Sequence, residues 1–129
     1  MSKRDLPRPT DAELAILGVL WARGASTVRE VLEVLEADRG TGYTTTLKLM
    51  QIMFEKGLVR RNDEQRTHVY EAAVTRVKTQ RQLIGDLLDR AFEGSAQQLV
   101  LQALSAKKSS RAELAEIRKL LEQLEGGVQ

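Results

Sequence analysis

The stretch that decides the fold is GYTTTLKLMQIMFEKGLVRRNDEQRTHVYEAA, residues 42–73. Thr44 to Lys56 has helical periodicity. Thr46, Leu49, Met50, Met53 and Phe54 make its apolar face, with Leu47 and Ile52 at the margins. Thr45, Lys48, Gln51 and Glu55 face the other way. Gly57 follows Lys56, where a helix commonly ends in a left-handed residue. Leu58–Arg61 and Thr67–Ala72 then read as two short strands, joined by the polar run Asn62-Asp63-Glu64-Gln65-Arg66. Val69 and Glu71 alternate with His68 and Tyr70, as the two faces of a strand do. Tyr70 is expected to pack under this hairpin.

Upstream, two more helices are expected. Thr10 with Glu13 three residues later is a capping box, opening a helix from Asp11 to Ala22 that ends near Gly24. Leu14, Leu17, Gly18 and Trp21 form its stripe, with Ile16 and Leu20 beside it, and Trp21 is assigned to the core. Pro7 and Pro9 keep the preceding arm extended. Ala25 and Ser26 form a short extended link. Thr27 with Glu30 is a second box, and Val28, Val31, Leu32 and Leu35 mark a helix over 28–37. Arg39-Gly40-Thr41-Gly42 reads as a turn. Three helices followed by a hairpin is the order of a winged helix-turn-helix, in which the first two helices brace the third.

Downstream of Thr75 the character is helical to the end. Val77, Ile84, Leu88 and Ala91 share a stripe flanked by Leu83, Leu87 and Phe92, and Gly94-Ser95 breaks it. A short helix over 96–104 carries Leu99, Val100, Ala103 and Leu104. Ser110 and Glu113 form a third capping box. Leu114, Ile117, Leu121 and Leu124 then step by 3, 4 and 3, a coiled-coil-like seam that Leu120 widens. The boundary falls near Val74–Arg76. It gives a winged-helix domain over 1–75 and a helical dimerisation domain over 76–129. The second segment, 54 residues long, has little core of its own, so two chains sharing one is the better account.

The expected class is therefore mainly α. Composition agrees: the 129 residues include only five aromatics, so the core must be mostly Leu, Val, Ile and Ala. The absence of cysteine excludes disulfides, thiolate metal sites and cysteine nucleophiles. One histidine, His68, excludes a multi-histidine metal site, and it reads as a strand residue beside the wing. No cofactor or metal is expected. No apolar run approaches a bilayer span, and the start of the chain lacks the apolar core of a signal peptide. A cytoplasmic protein without membrane insertion is the expectation. An enzyme is not: the remaining candidates are carboxylate pairs such as Asp86 and Asp89 on a solvated helix.

The net charge of +2 is uninformative, but its distribution is not. Residues 39–70 carry six basic and three acidic side chains, net +3, while residues 1–38 are net −2. Within this segment Thr44, Thr45 and the helix N–H groups suit a phosphate. Lys48, Arg60, Arg61 and Arg66 read either as DNA contacts or as a solvated face. Gln51 shares the face of Lys48. Tyr43 packs at the turn, touches phosphate, or does both.

Over LPRPTDAELAILGVLWARGASTVREVLEVL (6–35), GYTTTLKLMQIMFEKGLVRR (42–61) and RTHVYEAAVTR (66–76), the sequence resembles the penicillinase-repressor family of BlaI/MecI-type regulators. The resemblance implies a homodimeric repressor that binds an inverted-repeat operator and is released by an inducing signal. It puts the family's contact positions on Thr44, Thr45, Leu47, Lys48 and Ile52 of the third helix and on Arg66 of the wing. It puts the dimer contacts on the C-terminal helices, where Leu99, Val100, Leu104, Leu114, Ile117, Leu121 and Leu124 are the candidates. Ile52 stands where the family commonly has Arg, and Leu47 where Arg or Met is common. An apolar side chain can meet a thymine methyl but cannot clamp guanine, which implies a different operator. Several members are cleaved at an Asn-Phe bond under a membrane sensor-protease, and Gln102-Ala103 is aligned with that bond here. The cysteine hook of copper-responsive relatives is excluded. The competing reading is a winged helix used for protein–protein contact without sequence-specific DNA binding.

Overall fold

The computed structural model describes residues 7–39, 42–64 and 66–127; the side chains of 36–39 are outside that description. Gly40 and Thr41 of the expected turn, and Gln65 of the expected hairpin connection, therefore lie outside the described residues. The order is α1 (Asp11–Arg23), α2 (Val28–Arg39), α3 (Tyr43–Lys56), β1 (Val59–Asn62), β2 (Val69–Ala72), α4 (Arg76–Ala91), α5 (Ala96–Ala106) and α6 (Arg111–Gly127). β1 and β2 pair antiparallel, with Arg60 opposite Glu71 and Arg61 opposite Tyr70. Three helices and a hairpin make the fold a winged helix, followed by three more helices.

Local signals place the helix starts. All three capping boxes form: Thr10 with Glu13, Thr27 with Glu30 and Ser110 with Glu113 each exchange two backbone–side-chain bonds of 2.8–3.2 Å. Such a cap contributes about 1 kcal/mol. Gly57 ends α3 in the left-handed conformation (φ 85°), and the N–H of Leu58 bonds back to Met53. That bond explains why β1 begins at Val59 rather than at Leu58: the amide of Leu58 is spent on the helix end. β2 likewise begins two residues later than the periodicity suggests, at Val69.

The chain divides into two compact units, residues 1–84 and 85–129, so the division falls inside α4. In the first unit Ile16, Leu17, Leu20, Val31, Met50, Met53, Leu58 and Tyr70 form the core. The link between α1 and α2 belongs to it as well. Ser26 makes a two-bond antiparallel bridge to Tyr70, each N–H···O being 2.8 Å, which adds a third short edge to the hairpin. The start of α4 is tied to α1 within the same unit. Trp21 Nε1 donates to the Val74 carbonyl at 2.9 Å, and the Arg76 guanidinium lies over the indole.

Two side-chain expectations change. The inward stripe of α1 is Glu13, Ile16, Leu17 and Leu20, rotated from the expected one; Leu14, Gly18 and Trp21 are only half-buried. The rotation puts a carboxylate in the core layer, which hydrophobic periodicity cannot foresee. Phe54, expected on the apolar face of α3, is 38% exposed, and its ring is partly covered by the Arg61 guanidinium 4.2 Å away.

In the second unit neither α5 nor α6 contains a buried residue. Leu101, Leu104, Leu114, Leu120, Leu121 and Leu124 are all exposed. Leu88 accepts from the N–H of Gly94, whose φ of 81° makes the turn from α4 into α5. Among the described residues no helix is long and apolar enough to cross a membrane.

Candidate nucleic-acid interface

The rotation of α3 is set by the side chains it buries and by a tie to α1 at its end. Near its start, the buried Thr46 hydroxyl donates to the Gly42 carbonyl at 3.0 Å. At its end, Lys56 Nζ lies 2.6 Å from the carboxylate of buried Glu13 and donates also to the Arg8 carbonyl at 3.2 Å. Burial pushes the Glu13 pKa up, but the Lys56 hydrogen bond and charge, with the Thr10 N–H, outweigh it and hold the carboxyl below its ordinary value. Met50 and Met53, fully buried between these anchors, leave one rotation of the helix.

That rotation turns Thr44, Thr45, Lys48, Gln51, Ile52 and Glu55 outward. Leu47 is half-buried and packs on the core, and Ile52 is at the exposed margin. The N-terminus of α3 differs from those of α1, α2 and α6. Its N-cap is Gly42, with no side-chain cap bond and no acidic residue in the first turn. Its first N–H groups and the positive end of its dipole are left for an external anion.

The basic residues divide into two kinds. Arg60 pairs across the strands with Glu71 at 3.2 Å. Arg61 grips Asp63 with two bonds, of 2.7 and 3.3 Å, and lies on Phe54. The Asp63 hydrogen bond, followed by one with Tyr70, raises the Arg61 pKa above its ordinary value. Arg61 thus braces the wing against α3. Lys48 and Arg66, by contrast, are exposed and make no ion pair among the described residues. His68 Nε2 sits 3.6 Å from Asp63.

An open cleft lies between the starts of α2 and α3 and the wing, with Thr27, Arg29, Tyr43, Arg66, Thr67 and His68 on its walls. Tyr43 is 43% exposed, and the Arg29 guanidinium is 5.3 Å from its ring centre. Arg29 and Thr67 escaped the sequence reading. Arg29 follows Val28 on the outward side of α2, where an ordinary surface cation would stand; only tertiary structure brings it to Tyr43, fourteen positions on. The candidate dimer residues occupy the second unit. Leu99 and Ile117 are half-buried, while Val100, Leu104, Leu114, Leu121 and Leu124 are exposed. Gln102 and Ala103 are exposed in α5.

Comparison with known proteins agrees along the chain. Residues 9–123 match the penicillinase repressor family, and the chain belongs to it. It is 32% identical over 123 residues to the transcriptional regulator BlaI of Mycobacterium tuberculosis, covering 95% of this chain and 88% of that one. The penicillinase repressor of Bacillus licheniformis is 25% identical over 125 residues, covering 93% and 94%. Among solved structures, the DNA-binding domain of the repressor BlaI superposes with a TM-score of 0.50 at 25% identity, over 59% of this chain and 90% of that domain.

Proposed function

We propose that this member of the penicillinase repressor family is a transcriptional repressor that binds an inverted-repeat operator as a homodimer, in the cytoplasm, until an inducing signal releases it. The observation that carries the reading is the outer face of α3: short polar side chains and Lys48 beside an uncapped helix start, on the brace of a winged helix. A recognition helix needs such a face to enter a major groove. Thr44, Thr45, Lys48 and Gln51 are assigned to the groove, with Leu47 and Ile52 at its apolar edges. Tyr43 and Arg66 are assigned to the backbone, and Arg60 and Arg61 flank them in roles shared with the wing's own ion pairs.

Residues 1–75 are assigned to DNA binding and 76–129 to dimerisation. The exposed leucines of α5 and α6 support this, since a pair of such faces would form a shared core. For induction through a membrane sensor-protease, Gln102-Ala103 is a poor equivalent of an Asn-Phe bond. A pocket shaped for Phe forfeits apolar burial worth on the order of 1.5–3 kcal/mol with Ala. Another bond or another trigger is the expectation. A new N-terminus at Ala103, found by mass spectrometry only in induced cells, would contradict it.

The test of the function is footprinting on the protein's own promoter, with affinity measured across salt concentrations. Two protected half-sites, about one or two helical turns apart, and a steep salt slope are expected. No protection at any salt, with capture of a protein partner through the α3 face instead, would favour the interaction-module reading.

A further inference from the structure

Resting on the DNA-binding reading, we propose that the cleft between the starts of α2 and α3 and the wing seats a phosphodiester group of the DNA backbone, with Arg29 as its principal ligand. Among the described residues, the basic side chains on the cleft walls are Arg29, Arg66 and His68, and no carboxylate lines it. Two nearby acids are otherwise engaged. Asp63 reaches His68 at 3.6 Å but is gripped twice by Arg61. Glu30, next to Arg29 in sequence, caps the Thr27 N–H and pairs with Arg23. Arg29 itself makes no ion pair among the described residues.

Cations gathered in one concavity repel one another unless an anion joins them. Arg29 is also preorganised for that role. The Arg29 guanidinium carbon lies 5.3 Å from the centre of the Tyr43 ring, and this cation–π contact, which occupies no N–H donor in a hydrogen bond, holds the side chain at the cleft. Thr67 and Tyr43 add hydroxyls to the walls. The cleft is open rather than enclosed, which suits a passing polymer backbone better than a captured small molecule. Tyr43 and Leu47 lie on both the cleft and α3, so a strand crossing the start of α3 meets Arg29 next. This contact would position the recognition helix without reading a base.

The experiment measures full-length protein on its footprinted operator and on a scrambled duplex, across salt, for wild type, Arg29→Ala and Arg29→Lys. Arg29 is exposed, so thermal unfolding should be unchanged in both variants. Arg29→Ala should weaken both duplexes alike by roughly tenfold, as for a missing charged hydrogen bond. It should also lower the salt slope by about one. Arg29→Lys should regain the slope but not the full affinity, because an ammonium lacks the planar fork. Wild-type affinity and slope in Arg29→Ala would overturn the proposal. So would a loss confined to the operator, which would make Arg29 a base reader. Failure of wild type to bind any duplex is a different result: it overturns the DNA-binding reading itself.

Discussion

Residues 1–84 and residues 85–129 use the same kinds of side chain to opposite effect. The first unit buries Leu17, Val31, Met50, Met53 and Leu58 almost completely. The second has well-capped, amphipathic helices, yet α5 and α6 bury no residue. Helix signals are therefore no guide to where a core is. A core needs faces that meet, and in the first unit α1, α2, α3 and the hairpin close around one another. In the second, the leucine faces are left over. The first unit closes a core within a single chain, whereas the second would close one only through the proposed pairing with a second copy.

The largest effect that would test this contrast is a cavity in the first core. Leu17→Ala should cost about 2–5 kcal/mol in denaturant unfolding, whereas Leu121→Ala, at 55% exposure, should cost far less in a dilute monomer. Equal costs would erase the distinction. Next, replacing Ile117 and Leu121 together by Lys should leave a folded first unit but give monomers at micromolar concentration. Operator binding should then weaken by tenfold or more, about 1.4 kcal/mol. Sedimentation of the wild type as a monomer would remove the basis of the comparison.

A more local effect lies in the anchor between α1 and α3. Glu13→Gln should cost about 1–3 kcal/mol, since it strips a charged partner from Lys56. Glu13 has a lowered folded pKa, so its contribution is present above the ordinary carboxylate value and is lost as pH falls through the folded one. Acid titration of stability should accordingly be shallower in Glu13→Gln than in wild type; identical curves would show that the pair is not coupled to folding. The last effect concerns the wing and the outer face of α3. Arg66→Ala should reduce the salt slope by about one and weaken all duplexes alike, while Lys48→Ala should change base preference, at about 1–3 kcal/mol for each base no longer read. The reverse pattern would exchange the roles of wing and helix.

Much of the fold is legible in the sequence because its signals are local. A Thr or Ser followed three residues later by Glu starts α1, α2 and α6, since both bonds of the box lie within four residues. Apolar spacing marks each helix from α1 to α6, and Gly57 and Gly94 stand where the chain takes positive φ. The outward face of α3 is legible for the same reason: burying Thr46, Met50 and Met53 leaves Thr45, Lys48 and Gln51 on the other side. What only tertiary structure decided are pairings between distant positions: Glu13 with Lys56, Ser26 with Tyr70, Arg29 with Tyr43, and Arg61 on Phe54. Helical periodicity says that a side chain faces inward or outward, but a partner depends on how two elements cross. The buried carboxylate of Glu13 and the exposed ring of Phe54 each meet a cation, Lys56 and Arg61, that no helical periodicity could supply.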